Sequence, residues 1–324
     1  MEIHDRVYGK VMVDEPLLSE LMATSAVQRL KGINQAGASQ YIMHKPITRY
    51  EHSVGTMLLL KKFGAPLSEQ VAGLLHDVAH TAFSHVIDFA FPNENHDFHE
   101  SFHERIVLGS EIPSILKSHG LDLPAMFDEA NFPLLERSLP DLCADRLDYS
   151  FRDMVGYVAK AEMDEHVQLF LSHLIVHEGE FIFDDFQSAA QFTLDFIFMN
   201  RWVWARPLEV ATYHILGKAL RRAYDLGYLT MDDLFGTDEQ VMQKLRLMKD
   251  LEINAALSKL TPKFRVSFVE ENADFYCRSK PRYVDPKFLE NGKVRRVSEV
   301  SKALKKEIRD HREYIQKGYM LKVG

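Results

Sequence analysis

Residues 71–85 read Val71-Ala72-Gly73-Leu74-Leu75-His76-Asp77-Val78-Ala79-His80-Thr81-Ala82-Phe83-Ser84-His85. An apolar stretch runs straight into the adjacent pair His76-Asp77, and His80 and His85 follow within a few helical turns. Leu74 and Leu75 place the segment against a core. There, imidazoles and carboxylates are costly unless they are paired or bound to a metal. Neutral imidazole and carboxylate are both ligands for a divalent or trivalent transition metal. This stretch therefore predicts a helix that delivers metal ligands into the interior.

The surrounding periodicity predicts a mainly α protein. Residues 14–31 carry Leu17, Leu18, Leu21, Met22, Val27 and Leu30 at three- and four-residue steps, with a break near Thr24-Ser25. Residues 51–62 and 68–80 read as helices across Phe63-Gly64-Ala65-Pro66, with Ser68 as N-cap of the second. Further helices are expected over 98–109, 133–156, 161–173, 185–227 and 298–315. Residues 174–183 carry β-prone runs on either side of Gly179, which predicts a short hairpin. Residues 264–297 mix β-prone runs with Pro286 and Gly292. The expected organisation is a helical core over 1–235 and a small mixed α/β C-terminal appendage over 236–324.

The 324 residues include 46% hydrophobic and 27% charged side chains, an ordinary globular composition. A net charge of -8 argues against a broad nucleic-acid footprint. The basic tract Lys293-Val294-Arg295-Arg296 is too short to reverse that. Cys143 and Cys277 make neither a disulfide framework nor a cysteine-rich zinc site, and reduced thiols fit a cytoplasmic location. No apolar run reaches the ~20 residues that a membrane helix needs.

His52, the His76-Asp77 pair and Asp145 come from three separate predicted helices and could surround one ion. An open N/O site of this kind suits iron, manganese, zinc or nickel. Arg49 lies three residues before His52, on the same helical face. A guanidinium there suits a polyphosphate oxygen.

The ordered series of motifs carries a family resemblance. It runs from Ile3-His4-Asp5-Arg6-Val7-Tyr8-Gly9 through Gln28-Arg29-Leu30-Lys31-Gly32 and Arg49-Tyr50-Glu51-His52 to the His76–Asp88 segment. It continues with His99-Glu100 and ends at Asp145-Arg146-Leu147-Asp148-Tyr149 and Asp153. The chain resembles the HD-domain metal-dependent phosphohydrolases and, within them, the deoxynucleoside triphosphate triphosphohydrolase branch. The resemblance implies an HD-domain helical bundle and metal ligands at His52, His76, Asp77 and Asp145. It implies phosphate contact and proton transfer at His80 and His99, oriented by Asp88, with His85 as a further ligand or supporting residue. Arg49, Arg146 and Arg201 match phosphate contacts. Tyr149 and Asp153, one helical turn apart, match a pair that meets a deoxyribose: the ring rejects a 2′-hydroxyl and the carboxylate takes the 3′-hydroxyl. Gln35 matches a base or sugar contact. A homo-oligomer, with the appendage as contact, and additional magnesium travelling with a triphosphate are also implied.

Two positions depart from the branch. Ala23 and Lys31 stand where vertebrate members carry the acidic and arginine residues of a regulatory guanine-nucleotide site. Glu209 falls where a pocket tyrosine is expected, after a Pro207 that interrupts a helix, with Tyr213 as a substitute. The leading expectation is hydrolysis of deoxynucleoside triphosphates to deoxynucleoside and triphosphate. The alternatives are another nucleotide ester (a monophosphate, a modified nucleotide or a dinucleoside polyphosphate) and a metal-bound nucleotide sensor.

Overall fold

The computed structural model describes residues 1–42, 47–92, 98–158, 161–277 and 282–323. The chain opens with an antiparallel hairpin, β1 (Glu2–Asp5) and β2 (Gly9–Met12). Helices α1 (Pro16–Ala23) and α2 (Ser25–Arg29) follow, separated at Thr24 where the sequence breaks its period. Then come α3 (Arg49–Lys62), α4 (Leu67–Leu75), α5 (Ile87–Ala90), α6 (His103–Leu108), α7 (Ile112–Ser118), α8 (Ala144–Tyr157) and α9 (Ala161–His173). The predicted hairpin forms as β3 (Leu174–His177) and β4 (Glu180–Phe183). Beyond it lie α10 (Phe186–Met199), α11 (Pro207–Asp225), α12 (Met231–Leu234), α13 (Asp238–Leu247) and α14 (Leu251–Lys259). The chain ends with β5 (Val266–Phe268), β6 (Phe275–Cys277), β7 (Lys287–Glu290), β8 (Lys293–Arg296), α15 (Val297–Val300), α16 (Lys302–Lys317) and β9 (Tyr319–Val323). The protein is mainly α with small β elements. No described helix is long and apolar enough to cross a membrane.

The β segments are woven into the rest of the chain. β7 pairs in parallel with β4, so hairpins β3–β4 and β7–β8 make one four-stranded sheet. Phe288 and Val297 share a core with Phe181, Phe183 and Phe192. Strands β5–β9–β6 form a second sheet, and Leu321 joins a core with Leu216 and Leu220 of α11. Asp238, from the same late part of the chain, accepts from the Asn34 amide at 2.9 Å and the Phe83 amide at 2.6 Å.

Several boundaries differ from expectation. Helix α3 starts at Arg49, because Thr48 and Glu51 form a capping box around the first turn. Helix α4 starts after Pro66 without a side-chain cap, so Ser68 does not cap it. It ends at Leu75, which leaves His76 at its C-terminal boundary and Asp77 in the following turn. Arg29 holds that turn by donating to the carbonyls of Val78 at 2.7 Å and His80 at 2.9 Å. Residues 133–143 are not helical: Glu69 reaches across to accept from the amides of Leu134 and Leu135, and α8 begins only at Ala144. Residues 98–102 contain a short 3-10 turn rather than the start of α6. Pro207 stands at the first position of α11, which restarts the helix after a wide turn over Asn200–Trp204.

The hairpin β1–β2, α3 and α8 meet at a buried charge cluster. Arg152 is fully buried and donates to Asp148 from Nε at 3.0 Å and from Nη2 at 2.9 Å. Its Nη2 also lies 3.0 Å from Asp5. Removing one member of a buried ion cluster leaves the other charges uncompensated. Arg152→Leu is expected to destabilise the protein by about 3–5 kcal/mol, measured by urea unfolding. A loss well below that range would show that the cluster is not a structural keystone.

Candidate metal centre and active site

Helix α3 supplies His52, the C-terminal boundary of α4 and the turn after it supply His76 and Asp77, and the first turn of α8 supplies Asp145. The four side chains converge. His52 Nε2 lies 2.9 Å from Asp145 Oδ1, 3.7 Å from Asp77 Oδ2 and 3.3 Å from His76 Nε2. His76 Nε2 lies 3.5 Å from both Asp77 Oδ1 and Asp145 Oδ1.

The hydrogen-bond partners fix how the two imidazoles face each other. His52 Nδ1 donates to Asp148 Oδ2 at 2.8 Å, and His76 Nδ1 donates to the Gly73 carbonyl at 2.8 Å. Both acceptors take a hydrogen from Nδ1, so each Nε2 presents its lone pair to the shared space. Two lone pairs 3.3 Å apart, flanked by two carboxylates, call for a cation or a proton between them. The donor set fits a metal, and Asp148 supplies the orienting carboxylate that metal-binding histidines use. Nothing in this donor set selects one metal among iron, manganese, zinc and nickel.

Proton binding competes for the same place. Burial alone lowers the His52 pKa, but the hydrogen bonds to Asp145 and Asp148 override it and raise it to about 10. Asp145 and Asp77 sit well below the ordinary carboxylate range. Burial opposes this in both; His52 and His76 lower Asp145, while Arg49, His76 and His80 lower Asp77.

Beside the ligand set stands a second group of histidines. His80 Nε2 lies 3.2 Å from Asp77 Oδ1, and the His80 and His99 rings stack with centroids 3.8 Å apart. Asp77, His80 and His99 could also gather around an ion, with Asp77 common to both groups. Asp88 faces His85 Nδ1 at 3.2 Å and accepts from the Phe98 amide. The carboxylate in reach of His80 is thus Asp77, while Asp88 orients His85. Burial, Arg49 and His99 hold the His80 pKa well below its usual value. Burial and His85 push His99 down to about 3. Both rings are thereby held toward the neutral form.

The three expected phosphate arginines differ in placement. Arg49 enters the site but is already engaged, donating to Asp77 Oδ2 at 2.8 Å and Ser84 Oγ at 3.0 Å. Arg146 faces away and holds the 136–143 loop, donating to the carbonyls of Asp141 at 2.6 Å and Arg137 at 3.0 Å. Arg201 also faces away, donating to His311 on α16 at 3.1 Å and lying over the Tyr314 ring. The wide turn that follows α10 brings Trp204 to the site instead: its ring centroid lies 5.3 Å from that of Tyr149. Sequence spacing cannot tell which face such a turn presents. Tyr149 and Asp153 share the site-facing side of α8 with Asp145, and Gln35 carries a buried Oε1 without a partner. Glu209 is buried and accepts from Arg206 at 2.6 Å, while Tyr213 donates to the Ala36 carbonyl at 2.9 Å. Asp148, Trp204 and Arg282 (whose guanidinium lies over Tyr149) were not singled out from sequence.

Two outcomes follow for metal content. Asp148→Asn is expected to weaken metal affinity by about 10- to 100-fold while His52 remains in place, measured by competition with a chelator. With the His52 pKa raised to about 10, a bound metal would have to displace a proton from it below that pH, so affinity is expected to fall by about tenfold for each unit that the pH drops, per proton displaced. A pH-independent affinity between pH 6 and 9 would contradict this arrangement.

The HD domain family matches residues 49–150, which include all four converging side chains. The chain is 39% identical to the uncharacterized protein YdhJ of Bacillus subtilis over 100% of this chain and 99% of that one. It is 35% identical to the metal-dependent phosphohydrolase cns2 of Cordyceps militaris over 80% of this chain and 76% of that protein. Similarity to the deoxynucleoside triphosphate triphosphohydrolase SAMHD1 of Bos taurus is shorter, 33% identity over 28% of this chain and 18% of that protein. The fold is similar to the crystal structure of a phosphohydrolase from Bacteroides thetaiotaomicron, with a TM-score of 0.69 and 18% identity over 99% of this chain and 98% of that one. With the convergent histidine–aspartate cluster at its centre, the chain belongs to the HD-domain metal-dependent phosphohydrolases.

Proposed function

We propose that the chain hydrolyses deoxynucleoside triphosphates at the ester between the α-phosphorus and the 5′ oxygen, releasing deoxynucleoside and intact triphosphate. The observation that carries this reading is the Tyr149–Asp153 pair beside the ligand cluster. The Tyr149 ring is held edge-on to His52 at 6.5 Å and to Trp204 at 5.3 Å between centroids. Trp204 Nε1 donates to Asp153 Oδ2 at 2.8 Å, while Asp153 Oδ1 is buried without a partner. Burial pushes the Asp153 carboxyl up to about 7. Such a carboxyl can both accept from and donate to a hydroxyl, and a 3′-hydroxyl would satisfy its orphaned oxygen. A rigid ring in the position of a 2′-hydroxyl excludes ribose by steric conflict. The unpartnered Oε1 of Gln35 supports a further base or sugar contact.

His52, His76, Asp77 and Asp145 are the residues that would hold the metal. A metal there supplies Lewis-acid polarisation of the phosphoryl group and lowers the pKa of water. The chain's own groups handle the proton. Asp77 takes the His80 Nε2 hydrogen, which leaves His80 Nδ1 as a buried, unpartnered acceptor. The charge of an arriving phosphate favours the protonated ring, which can then deliver its proton to the departing 5′ oxygen. The water oxygen joins phosphorus, the ester bond breaks, and one water proton ends on the deoxynucleoside.

A nucleoside monophosphate or modified nucleotide is a second reading. It is favoured by Arg146 and Arg201, which face away from the site and leave fewer cations for a chain of three phosphates.

Phosphorus NMR of the products from a nucleotide panel, with metal-loaded protein, separates these readings. Triphosphate from deoxynucleoside triphosphates supports the first; orthophosphate from monophosphates alone supports the second. Failure to cleave any deoxynucleoside triphosphate under varied metals and activators would sink the first. On the triphosphate reading, His80→Asn is expected to lower kcat by about 10²- to 10⁴-fold. Wild type is expected to prefer a 2′-deoxy over a 2′,3′-dideoxy substrate by about tenfold, and Asp153→Ala to lose that preference.

A further inference from the structure

Among the described residues, few cations are available for a phosphate at the site. Arg49 already donates to Asp77 and Ser84, Arg146 holds a loop, and Arg201 is turned toward α16. Arg282 differs from all three. It comes from the segment that leads into β7, far in sequence from the HD-matching residues 49–150. Its Cζ stands 5.4 Å from the centre of the Tyr149 ring. Its charge reaches His85 and Tyr213 as well as Tyr149. Its guanidinium donates no hydrogen bond and joins no ion pair among the described residues.

The backbone beneath it is fixed. The Arg282 carbonyl accepts from His311 Nε2 at 3.1 Å, and His311, fully buried, accepts from Arg201 at Nδ1. Two residues on, Val284 is fully buried, and Arg312 lies 4.4 Å over the ring of Tyr283. A guanidinium whose donors are free among the described residues, on an anchored backbone over Tyr149 and with its charge felt at His85, is suited to the paired oxygens of a phosphate. The cation–π contact with Tyr149 does not use those donors.

We propose that Arg282 binds the substrate's phosphate oxygens, so that the C-terminal part of the chain completes the active site. The proposal rests on the reading of the site as one for a phosphate ester; it does not require the ester to be a deoxynucleoside triphosphate.

The test is calorimetric binding of tripolyphosphate and of inorganic phosphate to metal-loaded wild type, Arg282→Ala and Arg282→Lys. Metal content and thermal unfolding are recorded for each. Arg282→Ala is expected to weaken tripolyphosphate binding by about 10- to 100-fold at unchanged metal content. Arg282→Lys should recover part of the loss, because it restores charge without the fork. If the alanine variant does not unfold cooperatively, Arg282→Gln takes its place. Equal binding by wild type and a folded, metal-loaded variant would overturn the proposal. A wild type that binds neither anion would remove the phosphate reading itself, and the proposal with it. A result in which no deoxynucleoside triphosphate is cleaved, yet tripolyphosphate binding depends on Arg282, would reject the substrate and retain the arginine.

Discussion

The buried carboxylate of Asp148 ties the fold to the site. It accepts from His52 on α3 and from Tyr8 beyond β1, each at 2.8 Å, and from Arg152 one turn along α8. A fully buried charge survives only when its hydrogen-bonding capacity is met, and here three separate parts of the chain meet it. The fit leaves no room for a side chain on α3: a Cβ on Gly55 would lie 1.8 Å from Arg152 Nη2 and 2.2 Å from Asp148 Oδ1. Because Asp148 claims Nδ1 of His52, Nε2 must face the ligand space. The interaction that locks the hairpin to the helices also aims the imidazole.

The site divides electrostatically on either side of Asp77. On one side, carboxylates lift the pKa values of His52 and His76 against burial and favour a bound cation. On the other, burial and neighbouring positive groups keep His80, His85 and His99 neutral. Asp77 contacts both sides, since it lies near His52 and His76 and also faces His80. The proposed metal ligands and the proposed proton-handling residues are thus adjacent histidines whose environments push their pKa values apart, a division seen where acid–base work is partitioned among like groups.

Much of this was legible in the sequence because it rests on local pattern. The hairpin at 174–183 follows from β-prone runs around a Gly turn, and the convergence of His52, His76, Asp77 and Asp145 follows from an ordered motif series. What was not legible depends on contacts between distant parts of the chain. The non-helical stretch at 133–143 exists because Glu69 captures its amides from α4. Arg146 and Arg201 sit at plausible spacings, yet loop carbonyls and His311 take their guanidinium groups. Arg282 carries no local signal at all; only tertiary packing brings it over Tyr149. Periodicity reports which residues share a face, not which partner that face meets.

The central claim is that His52, His76, Asp77 and Asp145 would together hold one metal ion. An anomalous difference map from a crystal of the metal-loaded protein tests it most directly. A strong peak is expected within bonding distance of all four side chains, with His52 Nδ1 still on Asp148. A peak confined to the partly buried His173, Asp184 and Asp185 group, with none between His52 and His76, would contradict it.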